Sequence, residues 1–137
     1  MNLKYMSLFI RTFSKKRPEQ GLLRNYLINN RDLNCIICEK HLPPCLLEAA
    51  HLKPRHLLKK YELRDVNNVE FMCRYCHNLY DNALLSIRES NLCVSPNITF
   101  YKKYDLHYEN NKIIHAYTIK NSKYFDFHYN FIYKKTN

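Results

Sequence analysis

Two C-x-x-C pairs, Cys35-Ile36-Ile37-Cys38 and Cys73-Arg74-Tyr75-Cys76, constrain this chain more than any other feature. A structural zinc ion takes four deprotonated soft ligands in a tetrahedron, and two such turns from separate segments supply them. A site made of Cys35, Cys38, Cys73 and Cys76 is the expected arrangement. Replacement of one ligand by Cys45 or His41 is the rival reading, and a redox pair is the third. Everything between Cys38 and Cys73 then folds inside a loop that the ion closes. Binding of this kind is folding energy, of order 10 kcal/mol in small zinc domains. Cys45 and Cys93 have no partner at ligand spacing and read as small buried or half-buried thiols.

Length and charge narrow the class. The 137 residues suit one domain with a core of modest size, which gains from a metal staple. Lys and Arg number 22 against 12 Asp and Glu, a formal charge of +10 that attracts polyanions, and nucleic acid is the simplest such partner. A membrane is not expected, because no apolar run reaches the length of a span and no apolar stripe pairs with a basic face. The stretch Met1 to Ile10 is too short in apolar residues for a signal peptide, so a cytoplasmic protein is expected.

The local patterns divide the chain into a basic arm and helix start (1–24), a zinc-bound core (25–90) and a Tyr/Lys-rich extension (91–137). Leu22, Leu23, Tyr26 and Leu27 predict a short amphipathic helix over Glu19 to Arg31. Leu46 to His51 reads as a buried strand before Pro54, and Val69 to Met72 as a second strand, the two forming one hairpin. Tyr75, Leu79, Tyr80, Ala83 and Leu84 predict a helix from Arg74 to Leu85, which places His77 and Asp81 on one face. A small hairpin is expected around Ser90-Asn91, and the alternation Ile113 to Ile119 points to a β-rich extension. Its tyrosines, Tyr101 to Tyr133, either build an apolar face or stack on bases.

The ordered set Cys35-x-x-Cys38, Leu46-Leu47-Glu48-Ala49-Ala50-His51-Leu52-Lys53-Pro54, Asn67-Asn68 and Cys73-x-x-Cys76-His77-Asn78-Leu79-Tyr80-Asp81 resembles an HNH endonuclease. Within that superfamily it is similar to the zinc-bearing, restriction-type members, closely over residues 20 to 90 and more weakly from Leu106 to Phe131. The resemblance implies an α+β fold, a small zinc-stapled ββα-metal core flanked by the N-terminal helix and the C-terminal extension. It further implies that His51 is the general base, that Asn68 braces the loop and orients His51, and that His77 ligates a single Mg²⁺ or Mn²⁺. Asp81 falls where many members place a second ligand, and its oxygen suits such an ion. Ala50 departs from the pattern, since many members carry His or Asp there as a further ligand. Glu48, on the same face of the predicted strand, is the candidate replacement.

Lys53, Arg55, Lys59, Lys60 and Arg64 come soon after the candidate base and are expected to neutralise DNA phosphates, with a merely solvated loop as the alternative. The function expected is metal-dependent hydrolysis of DNA phosphodiesters, in restriction or defence against foreign DNA. A double-strand cut by a one-site chain would favour a homodimer. The alternatives are a non-catalytic zinc-knuckle module that binds nucleic acid and a zinc-stabilised protein interaction domain. The latter explains the cysteines but not His51, Asn68 and His77 together.

Overall fold

The computed structural model describes residues 17–98 and 107–137. Most of the expected basic arm, including Lys4, Arg11, Lys15 and Lys16, lies outside the described residues, as do Tyr101 and Tyr104. Helix α1 spans Pro18–Asn30, close to the expected range. Proline suits its first turn, where a backbone N–H would have no helical acceptor. Leu23 and Leu27, four apart, are its buried stripe. Polar side chains fix it to the first strand: Arg24 donates to the carbonyls of Leu47 at 2.7 Å and Pro44 at 2.6 Å, and Gln20 to that of Ala49 at 3.2 Å.

Strand β1 (Leu47–His51) pairs antiparallel with β2 (Val69–Cys73), in a register that sets Leu47 against Cys73 and His51 against Val69. Every residue of β2 is buried, as expected of a strand covered on both faces. Cys73 ends β2 and begins α2 (Arg74–Asp81), its sulfur accepting the Cys76 N–H at 3.5 Å. This helix is shorter than the sequence pattern predicts. Ala83 takes a left-handed φ of 60°, and the Leu84 N–H returns to the Leu79 carbonyl at 2.9 Å, a Schellman-type stop.

Strands β3 (Leu85–Arg88) and β4 (Asn91–Val94) form a second hairpin. Its two-residue turn is Glu89-Ser90, both left-handed (φ 47° and 68°), one position earlier than expected. Beyond β4 the expectation of a β-rich extension is corrected. Ile113 makes one isolated bridge to Asn91, and the chain then turns, leaving Ile119 96% exposed. The rest of the extension is helical: α3 (Ser122–His128), a π-helical turn at Tyr129–Tyr133 and a last short turn, Lys134–Thr136. Among the described residues the alternating ones find no further strand edge, whereas Tyr124, Phe125 and His128 recur at helical spacing and are buried. The α+β class and the small hairpin-and-helix core stand.

His128 locks α3 to α2. Its Nε2 lies 2.8 Å from the Tyr80 carbonyl, which can only accept, so the proton sits on Nε2. Its Nδ1 then accepts from the Ser86 hydroxyl at 2.7 Å, and the ring stacks on Tyr80 with centroids 3.7 Å apart. Burial pushes the His128 imidazole down to about 4. Between the ordinary histidine value and about 4, the unfolded chain therefore binds a proton that the folded chain refuses. This contribution to stability is complete above about pH 6.5 and is lost as pH falls toward 4, by up to about 3 kcal/mol. His128→Gln is expected to show a smaller loss of stability from pH 7 to pH 5 than the parent, as read by denaturant unfolding at both pH values.

Candidate active site and metal centre

The two cysteine knuckles meet. Cys35 lies in a turn closed by the Cys35 N–H to the Lys40 carbonyl at 3.1 Å, and the Ile36 N–H ties that turn to Phe71 of β2 at 2.9 Å. All four sulfurs of Cys35, Cys38, Cys73 and Cys76 lie within 4.8 Å of one another. Sulfurs about 2.3 Å from a zinc ion in a tetrahedron stand about 3.8 Å apart. The Cys38 and Cys73 sulfurs are 3.9 Å apart, so the donor set fits zinc. Hydrogen bonds from Cys38 and then Cys76 hold the Cys35 sulfur well below the ordinary thiol range, so the cluster itself favours a thiolate. Tyr108 from the extension reaches Cys76 at 3.2 Å. Neither rival ligand joins: His41 is exposed beside Asn34, and Cys45 is exposed instead of buried or half-buried as expected.

His51 closes β1, half-buried, and its Nε2 is buried with no hydrogen-bond partner among the described residues. Burial, and then the Arg55 guanidinium, push its imidazole down to about 4, which keeps the ring neutral near pH 7. Asn68, 1% exposed, holds the chain that leaves His51: its Oδ1 accepts the Lys53 N–H at 2.8 Å and its Nδ2 donates to the Lys53 carbonyl at 3.2 Å. The Leu52 N–H also bonds the Asn68 carbonyl at 2.9 Å.

His77, on α2, stands between two carboxylates. Its Nδ1 is 3.1 Å from Glu48 Oε1 and its Nε2 is 3.1 Å from Asp81 Oδ2. Burial lowers its proton affinity, but Asp81 and Glu48 more than offset this, and the net effect is to raise it. The pair of carboxylates thus favours a positive charge at this point. Glu48, His77 and Asp81 do not form a three-donor cluster, since among the described residues only the cysteines do. One ring nitrogen can face one ion, so a divalent ion, if bound here, would be held by His77 with either Glu48 or Asp81. The other carboxylate then takes the remaining ring N–H, the usual outer partner of a ligating histidine. Ala50, at the position where many members carry a further ligand, is fully buried.

The basic residues divide into two sets. Lys53 is buried, its ammonium 2.9 Å from Glu62 and 4.5 Å from the Phe127 ring. Arg55 is 2.6 Å from the buried Glu19. Lys59, Lys60 and Arg64 are exposed. The acids that engage Lys53 and Arg55 escape sequence reasoning, because no spacing signal links Glu19 to Arg55, 36 positions away. Tyr80 reads from its spacing only as a core residue, yet its hydroxyl donates to the Leu52 carbonyl at 2.7 Å.

A hairpin and helix joined at a four-cysteine cluster, with one histidine at the strand exit and a second on the helix, is consistent with a small α+β HNH core. The HNH endonuclease family model matches residues 35–88, a finding that supports the resemblance to HNH endonucleases over that segment. The match spans all four cysteines, His51, Asn68, His77 and Asp81 and leaves out α1 and the extension. A comparison with curated proteins finds no match to the chain. Among the described residues no helix is long and apolar enough to cross a membrane.

Elemental analysis is expected to find about one tightly held zinc per chain, and its removal by a chelator to abolish cooperative melting in circular dichroism. In Mn²⁺ titrations Glu48→Gln and Asp81→Asn are both expected to weaken binding. The ligand should cost more than its orienting counterpart, whose loss is worth about 10- to 100-fold.

Proposed function

We propose that this protein is an endonuclease that hydrolyses DNA phosphodiester bonds with the help of Mg²⁺ or Mn²⁺. Its setting is restriction or another defence against foreign DNA, on the strength of its likeness to zinc-bearing restriction-type members of the family. The observation that carries the reading is the state of His51: neutral, its Nε2 without a hydrogen-bond partner among the described residues, at a strand exit whose next two residues are clamped by Asn68. Such a nitrogen is prepared to take a proton from a water attacking phosphorus.

His77 would hold the divalent ion with Glu48 or Asp81, a nitrogen and oxygen set that suits Mg²⁺ or Mn²⁺. When bound, the ion supplies stabilisation of charge on the phosphate and the leaving oxygen. Asn68 acts through the backbone and is a positioning residue. Exposed Lys59, Lys60 and Arg64 are the residues of the loop free to meet DNA phosphates, while Lys53 and Arg55 serve mainly to hold the loop's shape.

Supercoiled plasmid incubated with the parent and Mg²⁺ or Mn²⁺ is expected to be nicked or linearised. His51→Ala should slow this by at least about 100-fold, in the range for loss of a general base. Tight DNA binding without cleavage by the parent under every divalent ion tried would instead establish a zinc-stabilised binding module.

A further inference from the structure

We infer that helix α3, which lies outside the family-matched segment, is a positioning clamp for His51. This role rests on the nuclease reading and gives the site a support from beyond the family core. Two hydrogen-bonded arms leave α3 and converge on the peptide units directly after His51. In the first, His128 Nε2 bonds the Tyr80 carbonyl and its ring stacks on the Tyr80 ring, while the Tyr80 hydroxyl donates to the Leu52 carbonyl at 2.7 Å. In the second, the Tyr124 hydroxyl donates to Asp65 Oδ2 at 2.5 Å. Asp65 Oδ1 in turn caps the 3₁₀ turn Val66–Asn68 through the Asn67 N–H at 2.9 Å. That turn presents Asn68, whose amide holds both polar groups of the Lys53 backbone.

Leu52 and Lys53 are therefore gripped from two directions, and each grip traces back to α3. The hydroxyl of Tyr80 is not needed to fill space, because the ring is fully buried and already stacked. Its bond fixes the strand exit relative to α2, the helix that carries His77. Tyr80 stands three residues from His77 and one from Asp81, so the same ring references both halves of the site to the extension. A clamp of this kind costs little in substrate affinity and much in rate when loosened, since displacements near 1 Å can cost about 100-fold in chemistry.

The test uses the full chain and two variants that each delete one hydroxyl, Tyr80→Phe and Tyr124→Phe, beside the parent. Each is expected to lower the single-turnover rate of plasmid cleavage with Mn²⁺ by about tenfold or more. Plasmid affinity measured in Ca²⁺, zinc content and the circular dichroism spectrum should stay at parental values. A rate per folded molecule equal to the parent's in both variants overturns the clamp and leaves these bonds a purely structural role. Should the parent fail to cleave, the nuclease reading falls, and the clamp is then judged by the ¹⁵N imidazole resonances of His51. A shift or broadening of those resonances in Tyr80→Phe upholds it, and unchanged resonances overturn it.

Discussion

Four sulfurs drawn to one point hold the rest of this fold in place. A hairpin of two five-residue strands is marginal in water by itself, and an eight-residue helix is shorter than isolated helices need to persist. Cys73 joins all three elements to the cluster. It pairs with Leu47 as the last residue of β2, caps α2 with its sulfur and stands within reach of Cys38. The first knuckle is bonded to Phe71 of the same strand. His51 lies at the far end of β1 and His77 one turn into α2, so the relative position of both is set through the sulfur cluster.

The extension adds what a core of this size lacks. Lys112 donates to the Ile37 carbonyl inside the first knuckle at 2.9 Å, and Tyr108 touches Cys76. Tyr124 and Phe125 complete the apolar interior, and His128 fills its remaining polar need without carrying charge. The cysteine cluster and the extension therefore act on the same elements from separate parts of the chain. The sulfurs fix where the hairpin and helix start, and α3 fixes where they lead.

Much of this is legible in the sequence because it is local. The C-x-x-C pairs, the apolar runs of β1 and β2 and the apolar spacing of α1 and α2 each report on a few neighbouring residues. The illegible part depends on distant partners. Lys53 and Arg55 look like phosphate ligands in a basic loop, but Glu62 and Glu19 claim them across the fold. The alternation at Ile113 to Ile119 has the period of a strand but, among the described residues, pairs only through the Ile113 bridge to Asn91, and it becomes a turn leading into α3. The early end of α2 has a backbone reason, the left-handed residue being an alanine where a glycine would have given warning.

The departure at Ala50 has a physical account in the strand register. Ala50 faces Glu70 directly across the hairpin, and residues so paired share one face with Cβ atoms about 5 Å apart. Glu70 is nearly fully buried, and its burial raises its proton affinity despite the nearby Arg31 guanidinium. An aspartate at position 50 would place a second buried acid opposite the first, against one arginine that already answers it. Glu48 meets no such conflict, because its partner in the register is Met72 and its carboxylate is partly in solvent. From there it reaches His77 on α2, at the ring nitrogen that Asp81 leaves open. On this face of β1 a carboxylate therefore costs less at position 48 than it would at position 50.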